Sequence, residues 1–239
     1  MKAKQPILII MAMQGEALRI VESLKLRPIE SPFYPLPTIG YRGPLNGSEI
    51  VMLINGIYPV TKVDMIGTQV AAATTALGIR EYNPSVIFNF GTCGGLQRKG
   101  ARIADLYLCC DRVWFHTRRI PVPGWEELGW GGNPTAGTSE IAKRLNFKVG
   151  ILSTTDSLDH PPIDAERFRK VDADVADMEG GSIAMYAHLY KIPFYSLKGV
   201  TDLMDPERVV GEQFLENFEK VVHGVTVGAV ELLEDYIKK

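Results

Sequence analysis

Three acidic residues lie where apolar stretches of the sequence give way to polar ones, a position in which carboxyl groups can handle protons. Glu16 follows the stretch PILIIMAM, Glu179 follows DADVADM, and Asp202 follows PFYSLKGV. Each acid also has an ordinary structural explanation, because a helix dipole favours an acid in the first turn by about 0.3–1 kcal/mol and aspartate is common in turns. Three carboxylates in one cleft would repel one another, so together they indicate a site for charge or proton chemistry.

A glycine-rich segment, FGTCGG at residues 90–95, could bring backbone N–H groups close to a small polar ligand, with Thr92 adding a hydroxyl group. The segment has neither the GxGxxG order of a dinucleotide-binding loop nor the lysine of a triphosphate-binding loop. A tight turn between a strand and a helix explains the glycines equally well. Cys93 has no histidine near it in sequence, so we expect a small buried residue rather than a nucleophile.

Other residues next to the acids could tune or contact them. Lys198 precedes Asp202 by four positions, and a buried lysine lowers the pKa of nearby carboxyl groups, although a purely structural ion pair is the alternative. Met13, Met178 and Leu158 are apolar residues beside acids. Such residues belong more often to a core than to a ligand site.

The elements that must position these residues alternate between apolar, β-branched stretches and amphipathic ones. The apolar stretches cover residues 6–13, 85–90, 149–154, 172–178 and 193–200, and helical periodicity marks 16–26, 69–82 and 212–239. This alternation predicts an α/β protein with a mostly parallel sheet covered on both faces by helices. Such sheets bind ligands at the carboxyl ends of their strands, and that edge would collect Glu16, residues 91–95, Asp156, Glu179 and Asp202.

The segment 116–134 is rich in proline and tryptophan and lacks the periodicity of core elements. We expect it to form a lid or a subunit contact.

Composition narrows the classes of function. The chain has 239 residues, 46% hydrophobic and 23% charged, which suits a single globular domain spanning residues 1–239. A net charge of −2 provides no basic surface for nucleic acid or an anionic membrane, and no apolar stretch reaches the roughly 18 residues of a membrane span. We interpret the first apolar stretch as a core strand rather than a signal peptide. Three cysteines without CxxC spacing and four scattered histidines indicate a reducing compartment and no structural metal.

Taken together, these features resemble the methylthioadenosine nucleosidases, especially the plant type, of the purine nucleoside phosphorylase-like superfamily. Seven stretches in the family's order carry the resemblance: MAMQGEA (11–17), FNFGTCGGLQRKGARIADLYL (88–108), FHTRRIPVP (115–123), LSTTDSLD (152–159), DMEGGSIA (177–184), KGVTDLMD (198–205) and EQFLENF (212–218). The resemblance implies a three-layer αβα sandwich with a mostly parallel or mixed central sheet, and an activity that needs no cofactor or metal.

The resemblance also implies roles for the three acids. Glu16 would be the general base that activates water, Asp202 would protonate the purine at N7, and Glu179 would bind the ribose hydroxyl groups. This division suits cleavage of an N-glycosidic bond, which builds positive charge on the ribose and negative charge on the departing purine. A carboxylate on the sugar hydroxyls would strengthen its contact as the ring becomes cationic.

The same resemblance assigns a further set of residues to substrate binding, namely Met13, Thr92, Gly94, Leu158, Asp177 and Met178. Thr92 and Gly94 would line the side of the sugar and the water. Met178 would pack on the sugar or the purine, and Leu158 would pack on the adenine. Asp177 would orient the turn that carries Glu179.

The function implied is hydrolysis of 5′-methylthioadenosine to adenine and 5-methylthioribose by a cytoplasmic homodimer, with the partner's 116–125 region helping to close the 5′-alkylthio pocket. The sequence leaves open whether S-adenosylhomocysteine is cleaved as well. One alternative is a phosphate-dependent nucleoside phosphorylase, but Glu16 would repel phosphate, and Asn89 and Phe90 stand where such enzymes bring an arginine. A non-catalytic storage or ligand-binding protein of the same fold is the other alternative, and the presence of all three acids disfavours it.

Overall fold

The computed structural model describes residues 5–30, 33–204 and 210–238, in which a central β-sheet is flanked by helices. The strands are β1 (Ile7–Met11), β2 (Arg27–Ile29), β3 (Ile39–Leu45), β4 (Ser48–Ile54), β5 (Val86–Gly95), β6 (Leu106–Cys109), β7 (Arg112–Phe115), β8 (Gly131–Pro134), β9 (Lys148–Gly150), β10 (Leu152–Thr154), β11 (Val175–Asp177) and β12 (Phe194–Leu203). The helices are α1 (Gln14–Ser23), α2 (Thr68–Tyr82), α3 (Trp125–Trp130), α4 (Ser139–Leu145), α5 (Pro162–Lys170), α6 (Gly180–Leu189) and α7 (Val210–Ile237), with a 3₁₀ turn at Gln97–Lys99.

The sheet is mixed, with a parallel centre. Its strands follow the order β2-β3-β4-β1-β5-β11-β10-β7-β8, while β12 pairs with both β5 and β6, and β6 pairs with β9. Strands β4, β1, β5 and β12 run parallel to one another at the centre. The pairs β2–β3, β3–β4 and β7–β8 towards the ends are antiparallel, as is β5–β11. The prediction of an α/β fold with a mostly parallel or mixed sheet is confirmed.

Successive side chains of β1 point to opposite faces of the sheet and therefore belong to two different hydrophobic cores. Ile7, Ile9 and Met11 belong to a core that includes residues of α1 and α7, whereas Leu8 and Ile10 belong to one that includes residues of α2 and α6. Helices therefore cover both faces, which explains why β1 is apolar without interruption. This is the three-layer arrangement that the sequence predicted.

Two central strands run further than the sequence predicted. β5 continues from its apolar half through the glycine-rich segment to Gly95, and β12 continues past Val200 to Leu203. The two strands pair in parallel, and a bulge between Val200 and Asp202 places Asp202 opposite Gly94. The glycine-rich segment 90–95 was expected to follow the strand as a loop or tight turn, and this expectation was wrong, because pairing with β12 and β11 outweighs the low strand propensity of glycine.

The apolar stretch at 149–154 forms two short strands instead of one. β9 pairs with β6, whereas β10 pairs with β7 and β11, so the chain changes its neighbours at Ile151. The carbonyl oxygen of Ile151 accepts hydrogen bonds from the backbone N–H groups of Asp174 and Val175.

The segment 116–134 is only partly the irregular region that its composition suggested. It contains α3 and β8, and β8 pairs with β7. His116 is fully buried, whereas Val122, Trp125 and Leu128 are exposed. The two ends of the segment thus belong to the fold, and its middle presents apolar side chains outward. None of the helices in the described ranges has the length and apolarity of a membrane-spanning helix.

Candidate active site

A cavity of about 210 Å³ lies where the carboxyl ends of β1, β5, β11 and β12 meet. It is lined by all nine residues that the sequence predicted for the site, which are Met13, Glu16, Thr92, Gly94, Leu158, Asp177, Met178, Glu179 and Asp202. The structure thus brings the three acids together at one edge of the sheet. Their individual roles stay predictions, for which the local geometry gives physical grounds.

Glu16 lies in the first turn of α1 and is only 3% exposed. Thr92 donates two hydrogen bonds to its Oε1 atom, one from the backbone N–H and one from the hydroxyl group, each 2.7 Å long. Burial raises the pKa of Glu16, while the bonds from Thr92 and the charge of Lys198 oppose the rise. A carboxylate oriented in this way still has lone pairs that can accept a proton from a water molecule.

Asp202 is buried near the end of β12, and its Oδ1 atom accepts a 2.8 Å hydrogen bond from the hydroxyl group of Thr201. The other carboxyl oxygen, Oδ2, has no hydrogen-bond partner among the described residues. Burial raises the pKa of Asp202 to about 6, although the bond from Thr201 acts in the opposite direction. A Cβ atom on Gly94 would lie 2.8 Å from Oδ2, so glycine keeps the space beside the acid open. Asp202 can therefore carry a proton on an oxygen that is free to donate it.

A buried ion pair joins Lys198 on β12 to Asp177 on β11, with Nζ 2.8 Å from Oδ2. Asp177 also accepts a 2.6 Å hydrogen bond from the hydroxyl group of Thr154 and a 2.9 Å bond from the backbone N–H of Gly180, the first residue of α6. Burial acts to lower the pKa of Lys198, but the surrounding carboxylates, led by Asp177, outweigh it and raise the pKa. Lys198 is thus the cation that offsets the negative charge of the site.

Glu179 connects the cavity to the start of α2. Its Oε1 atom accepts a 2.8 Å hydrogen bond from the backbone N–H of Gly67, the residue that precedes the helix. Asp156 accepts the next bond, from the backbone N–H of Thr68 at 2.6 Å, and also binds the Thr68 hydroxyl group at 2.7 Å. Two acids thus satisfy N–H groups that have no partner inside the helix. Asp156 belongs to this cap and does not line the cavity.

The two acids of the stretch DMEGG therefore do different things. Asp177 has both oxygens engaged, by Lys198 and by groups at the start of α6. Glu179 lines the cavity, and its carboxylate keeps lone pairs available beyond the bond from Gly67. Burial raises the pKa of Glu179 to about 7, the charge of Asp177 adds to the rise, and Lys198 opposes it. Asp177 thus contacts the turn that begins α6, and Glu179 is the acid that can meet a ligand.

Apolar side chains that the sequence did not single out complete the cavity. Ile66 precedes α2 and Phe214 lies on α7, and both line the cavity beside the predicted methionines. Phe214 lies within the conspicuous stretch 212–218, whereas Ile66 stands in a segment without periodicity and carries no signal in the sequence. Leu158 also lines the cavity but is 46% exposed, so it forms part of the rim.

Positive charge is scarce around the cavity. Among the described residues that line it, Lys198 is the only lysine or arginine, and its ammonium group is paired with Asp177. Cys93 is buried as predicted, and burial raises the pKa of its thiol well above the usual range. The cavity wall therefore supplies neither a group of cations for phosphate nor a reactive thiolate.

Comparison with known proteins shows to which family the chain belongs. Residues 6–234 match the family model of the phosphorylase superfamily. The chain belongs to the phosphorylase superfamily. Within this superfamily, a 5′-methylthioadenosine/S-adenosylhomocysteine nucleosidase of Arabidopsis thaliana is 40% identical over 217 residues, which are 90% of this chain and 85% of the relative. A 5′-methylthioadenosine nucleosidase of the same plant is 38% identical over 229 residues, which are 95% of this chain and 85% of that relative.

A solved structure agrees with these relatives. The apo form of an Arabidopsis thaliana 5′-methylthioadenosine nucleosidase matches this phosphorylase-superfamily chain with a TM-score of 0.93 at 36% identity, covering 97% of this chain and 96% of that one. The predicted resemblance to plant-type methylthioadenosine nucleosidases is confirmed, and so is the nucleoside phosphorylase-like fold.

Proposed function

We propose that the protein hydrolyses 5′-methylthioadenosine to adenine and 5-methylthioribose. The observation that carries the proposal is the presence, in one cavity, of two buried carboxyl groups in different environments. Glu16 accepts two hydrogen bonds and lies close to the charge of Lys198, whereas Asp202 has a pKa of about 6 and an oxygen that no group in the described ranges binds. Such a pair supplies a base for water and an acid for the leaving group. The identity to two Arabidopsis relatives that are named for this substrate supports the same reaction.

Asp202 supplies the proton to the purine. With a pKa of about 6, about one-tenth of Asp202 is protonated at pH 7, against less than about one-thousandth of an exposed aspartate. Transfer of this proton to N7 neutralises the charge that develops when the bond between the ribose and N9 breaks, so that adenine leaves as a neutral molecule. The Oδ2 atom gives the proton a position for which no acceptor among the described residues competes.

Glu16 takes a proton from the water molecule that adds to the anomeric carbon of the ribose. Burial raises its pKa and so makes the ionised form a stronger base, while the bonds from Thr92 and the charge of Lys198 keep it ionised. The anionic carboxylate also repels phosphate at the same position. Before the next turnover, Glu16 releases to solvent the proton that it took from water, and Asp202 takes up a proton from solvent to replace the one that it gave to N7.

Glu179 binds the ribose hydroxyl groups and strengthens this contact as the ring gains positive charge. The hydrogen bond from Gly67 holds its side chain in place before substrate arrives. The apolar side chains of Met178 and Phe214 pack against the substrate, and Leu158 covers the adenine from the rim of the cavity.

We further propose that residues 1–239 form a single domain, that two chains form a homodimer, and that the protein works in the cytoplasm. The family match over residues 6–234 supports the first proposal. The exposed side chains of Val122, Trp125 and Leu128 support the homodimer, because grouped apolar residues at a surface mark interaction sites. In such a dimer, the partner's 116–125 region would close the end of the cavity that holds the 5′-alkylthio group. Three free cysteines support a reducing compartment.

Incubation with methylthioadenosine in phosphate-free buffer tests the proposed reaction. We expect adenine and 5-methylthioribose to form at the same rate with and without phosphate, because no arginine and no unpaired lysine lines the described cavity. A strict requirement for phosphate, with methylthioribose 1-phosphate as product, would identify a phosphorylase instead. Tight binding of the nucleoside without release of adenine would identify a binding protein. A parallel incubation with S-adenosylhomocysteine shows whether the longer 5′ substituent is also accepted.

A further inference from the structure

Two histidines and an aspartate from separate parts of the chain meet beside the substrate cavity. His116 follows β7, His160 precedes α5, and Asp164 lies in the first turn of α5. One nitrogen of each imidazole and one oxygen of the carboxylate all lie within 4.8 Å of one another. His116 and Asp164 are 0% and 1% exposed, and His160 is half-buried and lines the cavity. The two histidines lie 44 positions apart in the sequence, which matches no short metal-binding motif, so the sequence alone could not reveal this cluster.

Both histidines have a buried ring nitrogen without a partner. Nδ1 of His116 lies 3.0 Å from the hydroxyl oxygen of Ser153, but its Nε2 atom has no hydrogen-bond partner among the described residues. The Nδ1 atom of His160 is likewise buried and unpartnered in the described part of the chain. Buried polar atoms without partners are uncommon in folded proteins, and here two belong to histidines of one cluster. They indicate that a ligand with affinity for nitrogen and oxygen completes the cluster.

Packing and a hydrogen bond hold the two imidazole rings in place. Phe168 packs against both, with its ring centroid 4.2 Å from that of His116 and 5.4 Å from that of His160. The contact with Ser153 is the kind of supporting hydrogen bond that orients a metal-binding imidazole.

We propose that His116, His160 and Asp164 form a binding site for a divalent transition metal ion, with Zn²⁺ as the ion that fits this donor set best. Two imidazole nitrogens and one carboxylate oxygen are a common ligand set of zinc, with water as a fourth ligand. A tetrahedral zinc ion needs donor atoms about 3.3 Å apart, so the most distant pair must approach by about 1.5 Å. His160 stands in the segment between β10 and α5, outside both elements, and its side chain can make this approach.

The guanidinium group of Arg119 would compete with a metal ion for the carboxylate of Asp164. This group lies 2.7 Å from Oδ1 of Asp164, but the side chain of Arg119 is 40% exposed. The Asp164 carboxylate is buried and needs a positive partner, so a doubly charged ion can supply that charge when the exposed arginine turns outward. Arg167 adds positive charge near His116, yet its NH1 group is engaged by the carbonyl oxygens of His116 and Arg118. Binding of the ion therefore requires displacement of Arg119.

A bound ion would also affect the proposed reaction. Ser157, Leu158 and His160 line the cavity, and an ion that ties His160 to α5 and the end of β7 would restrain this part of its wall. We therefore expect zinc to slow release of adenine from the substrate. This consequence depends on the proposed function, whereas binding of the ion itself does not.

Titration of the metal-free protein with Co²⁺ tests the site, because cobalt replaces zinc and gives visible absorption bands when four-coordinate. We expect one equivalent to bind and to be displaced by Zn²⁺. His160→Ala and Asp164→Asn should each weaken binding at least about tenfold, whereas His223→Ala, which alters an exposed histidine on α7, should bind normally. Arg119→Gln should bind about two- to fivefold more tightly, since the competing cation is gone.

Two results would overturn the assignment. The first is absence of the absorption bands in the wild-type protein, and the second is equal cobalt affinity in the wild-type, His160→Ala and Asp164→Asn proteins. Circular dichroism of each variant checks that loss of binding does not arise from unfolding. Zinc inhibition is measured separately, as the ratio of rates with and without zinc in each protein. A protein that binds cobalt but releases no adenine would refute the proposed reaction and leave the metal site standing.

Discussion

Replacement of Asp202 by asparagine separates the chemical role of this residue from a structural one. Asparagine keeps the size of the side chain and an Oδ1 atom that can accept the bond from Thr201, but it has no proton to transfer. If Asp202 is the general acid, hydrolysis of methylthioadenosine should fall by about 10²–10⁴-fold. For the wild-type protein, kcat/KM should decline above about pH 6, because the carboxyl group of Asp202 in the free enzyme loses its proton there.

The same substitution should stabilise the folded protein at neutral pH. A pKa of about 6 in the folded state, against an ordinary value near 3.8, means that ionised Asp202 lowers the free energy of unfolding by about 3 kcal/mol. This penalty is absent below about pH 4, where the carboxyl group is protonated in both states, and it is complete above about pH 6. The Asp202→Asn protein lacks the penalty, so its advantage should grow from about zero to about 3 kcal/mol over this range.

Two assays read out these effects. Urea titrations of both proteins between pH 4 and pH 8 give the difference in unfolding free energy. Initial rates with methylthioadenosine and with a nitrophenyl riboside, whose leaving group departs without protonation, give the catalytic effect. The loss of rate should be large for the first substrate and small for the second. Equal losses on both substrates, together with a pH-independent difference in stability, would refute the assignment of Asp202 as a buried acid that protonates the purine.

Glu179→Gln should keep the fold and lower kcat/KM by about 10²–10³-fold, because a neutral amide stabilises a developing cation poorly; steady-state kinetics near wild-type values would contradict the sugar contact. Glu16→Gln should lower kcat by at least about 10²-fold with little change in KM, and an effect on KM alone would make Glu16 a binding residue. Lys198→Met should lower the free energy of unfolding by about 3–5 kcal/mol at pH 7, since it leaves Asp177 buried without its partner. Urea titrations should show this loss shrinking towards pH 4 as Glu16 and Glu179, which also interact with Lys198, take up protons, and a loss independent of pH would contradict its electrostatic origin.

The position of two of the acids was predictable because it follows from topology. Parallel strands present their carboxyl ends at one edge, so Glu16 and Asp202 had to lie near each other once the strands before them were recognised. Glu179 follows β11, which pairs antiparallel with the end of β5, so the same rule does not explain its position. The partners of these acids were not predictable in the same way. Gly67 binds Glu179 across 112 positions of sequence, and the backbone N–H that it donates has no side-chain signature. Contacts of this kind appear only when the fold is complete.

Some elements have signals in the sequence that composition and hydrophobic periodicity alone do not show. Strands β3 and β4 form a hairpin whose turn is Asn46-Gly47, with positive φ angles of 47° and 79° at the two residues. The dipeptide Asn-Gly is the common solution for such a turn, so this hairpin could have been predicted from the sequence. The extension of β5 into residues 91–95 could not, because glycine has no preference for strands and only its neighbours in the sheet hold it there.

The parallel pairing of β5 with β12 constrains how this protein can diverge. Lys198, Thr92 and Asp202 stand on two paired strands whose register shifts once, at the bulge between Val200 and Asp202, and a further inserted or deleted residue would displace them by about 3.3 Å. Misplacement of a reacting group by about 1 Å already lowers rates about 100-fold, so we expect insertions and deletions in these strands to abolish the proposed reaction. The segments 116–134 and 155–161 lie outside this strand pair, so changes in their lengths would leave the pairing of β5 with β12 in place. The groups proposed to cleave the glycosidic bond thus tolerate less change in chain length than the segments proposed to contact the rest of the substrate.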